Sequence, residues 1–322
     1  MRAVHVVRLD GPSGLEVVEV AEPVGGRDAV VVDVHAAGVA WPDLLLSRGQ
    51  YQLRPEPPFS PGGEVAGVVR SAPAGSALEP GMRVAVLTGV GGWQETVVTT
   101  VGNVLPLPDE VGLDVGAGIA FNYLTVQFGL RRRARLVAGE TVLVHGASGG
   151  IGIATLQLAK AYGARTIAVV STPAKQDAAR EAGADEVVLA DGFLPRVKEL
   201  TGGRGVDIVM DPVGGDRFTD SLRALGPEGR LLVVGFTGGD IPTVKINRLL
   251  LNNVSVVGVG WGAFLMVEPA YLQEQWSELR DLLSLGEVVP VPVHSRPLAD
   301  AAAVLREMDA RSLTGKVVLT LR

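Results

Sequence analysis

Glycines recur at Gly146, Gly149 and Gly152 in the stretch His145-Gly146-Ala147-Ser148-Gly149-Gly150-Ile151-Gly152. An apolar run, Val142-Leu143-Val144, precedes them, and helical periodicity follows from Ile151 to Tyr162. A tight turn needs a residue without a side chain. So does close approach of the backbone to a diphosphate, and of the helix to the sheet. The helix N-terminus then offers unpaired N–H groups and the positive end of its dipole. The chemistry predicted is dinucleotide binding, with Gly146, Ser148, Gly149, Gly150, Ile151 and Gly152 around the diphosphate.

About 20 residues further on, at the end of the second strand, NAD-binding folds place an acid that holds the ribose 2′-hydroxyl. Here the chain reads Val169-Val170-Ser171-Thr172-Pro173-Ala174-Lys175. An acid would repel a 2′-phosphate. The Ser171 hydroxyl can donate to one and Lys175 can supply charge, so the expected cofactor is NADPH.

Several other chemistries are excluded. The chain has no cysteine, which removes disulfides, iron–sulfur clusters, thiolate zinc sites and cysteine nucleophiles. His5, His35, His145 and His294 are scattered, and nothing pairs His145 with an acid, so neither a triad nor a metal site is indicated. The formal net charge is −6 and no basic run stands out, which argues against nucleic acid or an anionic membrane as partner. The short Arg131-Arg132-Arg133 cluster reads as a solvated loop between helical stretches.

The elements that must hold these residues follow from the pattern. A chain of 322 residues, 47% hydrophobic, can build two domains with substantial cores. The first part is β-rich. Val30–Val34, Glu64–Val69 and Arg83–Leu87 read as short strands between Pro and Gly turns, as in a compact barrel-like domain. From about Val115 the pattern changes. Helices are expected over Ala117–Leu130, Ile151–Tyr162 and Lys175–Ala182. Strands are expected at Thr141–Val144, Thr166–Val170, Val187–Leu189, Val206–Met210, Arg230–Val234 and Val254–Val259. Strands alternating with helices imply a parallel sheet covered on both faces. A last helix, Leu298–Met308, and a last strand, Gly315–Leu321, return to the first domain. The start shows no signal-peptide pattern and no apolar run is long enough to span a bilayer, so a cytoplasmic protein is expected.

This order of segments resembles the medium-chain dehydrogenase/reductase superfamily, and within it the zinc-independent quinone oxidoreductases. The motifs that carry the likeness are His35-Ala36-Ala37-Gly38-Val39, Pro61-Gly62-Gly63-Glu64-Val65-Ala66-Gly67, Leu124-Thr125-Val126, His145 to Gly152, Asp211-Pro212-Val213-Gly214-Gly215 and Val233-Val234-Gly235-Phe236. The resemblance implies an α/β fold. A GroES-like β-rich catalytic domain spans 1–120 and 262–322, and a Rossmann dinucleotide-binding domain spans 121–261. Zinc-dependent relatives carry a cysteine and a histidine where this chain has Ala40 and Gly63, so no metal is expected. Without a Lewis acid, a quinone or enone is the fitting hydride acceptor, because its charge delocalises onto an oxygen that hydrogen bonds can stabilise.

The same resemblance places a small quinone or enone substrate against the loop Trp41 to Gly62. Trp41 and Phe59 would wall the pocket, with Trp261 as a further contact. Tyr51 is the first candidate for proton donor or oxyanion partner. Asp43 orients or accepts, and Tyr123 is an alternative proton donor. Thr125, Gly235, Phe236, Thr237, Gly260, Trp261 and Lys316 join the cofactor's residues. Relatives place an asparagine where this chain reads Ala40-Trp41-Pro42-Asp43, and a tyrosine at the 2′-phosphate aligns with Ala190. Relatives also pair the last strand of the nucleotide domain across a two-fold axis, which implies a homodimer through Val254–Val259. Three functions stay open: quinone reduction, reduction of the double bond of an enone or enoyl thioester, and a non-enzymatic NADPH-binding sensor or structural role.

Overall fold

The computed structural model describes residues 1–321. The chain forms two compact units, one of residues 1–121, 270–284 and 292–322, the other of 122–269 and 285–291.

The first unit is built on a seven-stranded sheet. Its order runs His294–Pro297, Val317–Thr320, Val30–Gly38, Glu64–Ser71, Arg83–Leu87, Val104–Pro106, and Thr96–Thr99 also pairs with Val30–Gly38. The pairings are antiparallel except for His294–Pro297 with Val317–Thr320. β-branched residues supply the core, with Val32, Val34, Val65, Val84 and Val86 fully buried around Trp93. Trp93 donates its indole N–H to Gly38 O at 3.0 Å, so this ring is core. The turn at Glu79-Pro80-Gly81 is present, and Gly81 takes a φ of 92° that favours glycine.

The second unit holds a six-stranded parallel sheet in the order Glu186–Leu189, Arg165–Val170, Thr141–His145, Val206–Asp211, Leu225–Val233, Ser255–Gly258. The strand direction of travel reverses beside Thr141–His145. That reversal opens a crevice at the carboxyl ends of the strands, where ligands of such sheets bind. Leu143, Ile167, Val209 and Leu231 are fully buried, as a sheet covered on both faces requires.

Several expectations need correction. The second unit does not end at Trp261. Phe264, in the helix Trp261–Val267, packs on Phe128 with ring centroids 5.1 Å apart. Val289 O accepts a hydrogen bond from Gln157 Nε2, which ties 285–291 to the same unit. The helix Tyr271–Ser284, which sequence periodicity did not suggest, belongs to the first unit. There Gln273 reaches the carbonyls of Gly102 and Val104, and Trp276 reaches that of Pro106.

The expected helix over 117–130 spans Ala120–Gln127 and widens into a π turn over Phe128–Arg133. Nor is the arginine cluster a purely solvated loop. Arg131 lies over the Tyr162 ring, Arg132 over Phe264 at 4.5 Å, and Arg133 donates to Gly258 O. No helix among the described residues is long and apolar enough to cross a membrane.

Candidate active site

The strand Thr141–His145 pairs on both sides, so its carboxyl end is fixed at the centre of the sheet. His145 is buried and burial lowers its pKa, leaving a neutral imidazole. Its Nε2 lies 2.8 Å from Ser221 Oγ. Ser221 Oγ donates to Arg217 O, so Nε2–H of His145 is the donor to Ser221. The histidine pins the strand end, a partner the sequence gave no means of naming.

The chain then turns at Gly146, whose φ is 58°. The Ala147 N–H donates to Val169 O, and the Gly149 N–H donates back to Gly146 O. A Cβ on Gly152 would stand 2.3 Å from Gly146 O and 2.5 Å from Ala147 Cα, so the helix Gly150–Ala161 folds directly onto the turn. The N-cap, Gly149, brings no side-chain acceptor. The first-turn amides at Gly150, Ile151 and Gly152 therefore lack helical partners. Ser148 is only 6% exposed, and its hydroxyl has no hydrogen-bond partner among the described residues. A hollow lined by free donors and kept clear of side chains fits a diphosphate.

Ser171 follows the neighbouring strand and is exposed. Lys175 ends the short turn Pro173–Lys175 and is half-buried, and burial lowers the pKa of its ammonium. Ala190 sits level with Ser171 on the next strand, because Leu189 pairs with Val170. On the other side, the Val234 N–H donates to Asp211 O, the Thr237 N–H to Pro212 O and the Gly238 N–H to Val213 O. These bonds strap the half-buried Gly235-Phe236-Thr237 segment beside the carboxyl end of Val206–Asp211.

Tyr123 and Thr125 stand in the helix Ala120–Gln127 and are buried. Tyr123 is 5% exposed and donates its hydroxyl to Gln157 Oε1 at 2.5 Å, while burial raises its pKa. The hydroxyl expected as an alternative proton donor is thus held by Gln157. Trp261, expected as a substrate or cofactor contact, is 3% exposed. Gly260 caps that helix and is exposed.

In the first unit Asp43 is 1% exposed, at the start of the helix Trp41–Ser47. Its Oδ2 accepts the Ala40 N–H at 2.8 Å and its Oδ1 the Gly62 N–H at 2.9 Å. The carboxylate thus ties the helix start to the 61–63 turn by accepting two backbone hydrogen bonds. Lys316, expected among the cofactor's residues, is held by an acid. It is buried and donates to Glu64 Oε1 at 2.6 Å, while the Phe121 N–H donates to Oε2. In the sequence the only hint of this pair is an acid, Glu64, beside the apolar Val65-Ala66. Ala40 and Gly63 carry no atom that could hold a metal, and among the described residues no His, Asp and Glu cluster is arranged to do so.

Tyr51, Trp41 and Phe59 are partly buried. The Tyr51 hydroxyl has no hydrogen-bond partner among the described residues. Burial raises its pKa, helped by the negative charge of Asp43. The phenol therefore stays protonated at neutral pH and is available as a donor.

Burial also pushes the Asp43 carboxyl up to about 6, against the pull of the Ala40 and Gly62 N–H groups. A carboxyl with a raised folded pKa gives stability that is complete below about pH 4 and lost as pH rises through the folded value. Asp43→Asn cannot ionise and lacks this term. Its destabilisation relative to wild type is expected to be greater at pH 4 than at pH 7 by about 2 kcal/mol. Urea denaturation at the two pH values measures it, and a pH-independent difference would contradict the assignment.

Comparison with known proteins agrees with this geometry. Residues 26–109 match the Alcohol dehydrogenase GroES-like domain family, and residues 150–284 match the Zinc-binding dehydrogenase family. The chain is 36% identical to Quinone oxidoreductase-like protein 2 of Rattus norvegicus over 312 residues, covering 96% of this chain and 89% of that protein. A probable oxidoreductase from Mycobacterium abscessus has a similar structure, with 44% identity, a TM-score of 0.91 and coverage of 100% of this chain and 99% of that one. A mycobacterial protein solved in complex with NADPH shares 32% identity at a TM-score of 0.91, each chain covered to 100%. The two units are thus of the GroES-like and Rossmann types. With alanine and glycine at the zinc-ligand positions, the chain belongs to the zinc-independent quinone oxidoreductase family of the medium-chain dehydrogenase/reductase superfamily.

Proposed function

We propose that this chain reduces a quinone or another small conjugated carbonyl with NADPH, by direct hydride transfer and without zinc. The observation that carries the reading is the hollow at Gly146–Gly152, where glycines let the backbone be approached closely and unpaired donors line the turn. The mycobacterial neighbour that binds NADPH supports the choice of cofactor. Ser171 and the desolvated Lys175 ammonium suit the 2′-phosphate, since no acid stands there to repel it. When bound, NADPH supplies the hydride. The residues of the chain bind, orient and polarise.

Trp41 and Phe59 offer aromatic faces to a flat ring. The unpaired Tyr51 hydroxyl donates a hydrogen bond to the oxygen on which negative charge develops. Its raised pKa makes it a hydrogen-bond donor rather than a ready acid, so the proton that completes the reduction comes from water. Ala40 and Gly63 cannot hold a Lewis acid, which favours acceptors that delocalise charge over simple ketones.

Steady-state oxidation of NADPH with 9,10-phenanthrenequinone, benzoquinones, 2-alkenals and crotonyl-CoA tests the substrate class. Turnover of quinones above the others is expected, and no turnover of any would leave a binding protein instead. Tyr51→Phe is expected to lower kcat about a hundredfold with little change in the Kd for NADPH. An unchanged kcat would remove Tyr51 from the reaction.

Assembly is part of the same proposal. Ser255–Gly258 lies at the sheet edge with Ser255, Val256 and Gly258 exposed, and Leu250 and Leu251 project from the preceding helix at 77% and 73% exposure. An open strand edge flanked by apolar side chains invites pairing with a second copy. Light scattering is expected to give the mass of a dimer. A monomer at micromolar concentration would refute this.

A further inference from the structure

Asn122 is 7% exposed, yet among the described residues its side-chain amide makes no hydrogen bond. Tyr123, the next residue on the same helix, is by contrast bonded to Gln157. A carboxamide on a side chain so largely buried, with no protein partner, is a group that a ligand can complete.

Its position says which ligand. A Cβ built on Gly150 would stand 2.3 Å from Asn122 Nδ2, 3.0 Å from Cγ and 3.2 Å from Oδ1. The amide therefore rests on the first residue of the 12-residue helix Gly150–Ala161, at the mouth of the turn. Any side chain at 150 would displace it. Gly150 has no positive φ to explain it, so keeping the amide in place accounts for the glycine there. The N-cap, Gly149, leaves the first-turn amides open, and the buried Ser148 hydroxyl is also unpartnered. Donors from two separate elements thus meet at one hollow: the amides and hydroxyl of residues 148–152, and a carboxamide from the helix Ala120–Gln127.

We propose that the Asn122 carboxamide donates a hydrogen bond to the diphosphate of the dinucleotide. The inference rests on the cofactor reading above and adds a binding residue to it. A diphosphate oxygen accepts only, so Nδ2, the half of the amide turned to Gly150, is the group engaged. Both NADPH and NADH carry the diphosphate, so Asn122 sets affinity for either and does not discriminate between them.

Calorimetric titration of the full chain with NADPH, NADH and ADP-ribose tests this. Asn122→Ala is expected to weaken all three about tenfold, the usual loss for a hydrogen bond to a charged group. Asn122→Asp keeps the shape but repels the diphosphate, and is expected to weaken all three about a hundredfold. Its melting temperature should not fall, because an acid near a helix N-terminus is favourable. A merely structural role would not separate affinity from stability in this way.

Wild-type affinity in both variants would overturn the inference. So would a loss confined to NADPH and NADH that spares ADP-ribose, which would move the contact to the nicotinamide. Asn122→Asp binding no worse than Asn122→Ala would also overturn it. Failure of the wild type itself to bind any of the three nucleotides would defeat the cofactor reading, a result distinct from a failure of Asn122 alone.

Discussion

The second unit depends on one steric constraint: nothing larger than hydrogen fits at Gly152. The first turn of the helix lies against Gly146 O and the Ala147 backbone, at distances that a Cβ would reduce to 2.3 and 2.5 Å. Because the helix starts there, its unpaired amides face the carboxyl end of the central strand and not solvent at large. The reversal of strand order supplies the crevice, and the His145–Ser221 hydrogen bond holds the strand end that enters it. Helix dipole, free N–H groups and absent side chains then act on the same small volume, which is why a diphosphate is the ligand this geometry selects.

The first unit solves a different electrostatic problem. Its relatives with zinc place a dication among cysteine and histidine, near the acid equivalent to Glu64. Here Ala40 and Gly63 take those positions and Glu64 keeps its charge beneath the surface. Lys316, arriving on the last part of the chain, supplies the balancing cation at 2.6 Å, and the Phe121 N–H satisfies the second oxygen. A buried carboxylate so paired is strongly dependent on its partner. Asp43 nearby has no such cation in direct contact and depends on two backbone N–H groups instead, which leaves its carboxyl raised to about 6. Burial, and to a lesser degree the Asp43 charge, raises the pKa of the Tyr51 phenol, which stays a hydrogen-bond donor at neutral pH.

Much of this was legible in the residues themselves. The parallel strands were readable because each is a short apolar run ended by glycine or a polar turn, and buried strands show no alternation. The glycine turn was readable because its spacing encodes steric limits that no other residue type meets. The helix Tyr271–Ser284 was not, since its membership of the first unit rests on side-chain contacts to carbonyls about 170 residues earlier in sequence. Lys316 and Tyr123 were placed by likeness to relatives, and each turned out to be held by a partner, Glu64 and Gln157, that local pattern does not reveal. Asn122 stands between Phe121 and Tyr123, and a carboxamide flanked by aromatic residues in a largely apolar helix is itself a signal in the sequence.

The account stands or falls on occupancy of that turn. Calorimetry with NADPH on wild type and on Gly149→Asp, where a Cβ would meet only Gly146 O at 3.5 Å and an N-cap carboxylate favours the helix but repels a diphosphate, both checked for native circular dichroism, tests it most directly. The wild type is expected to bind at micromolar concentration and the variant to lose binding while remaining folded. Equal affinity in the two proteins would show that the nucleotide, if it binds at all, does so somewhere else.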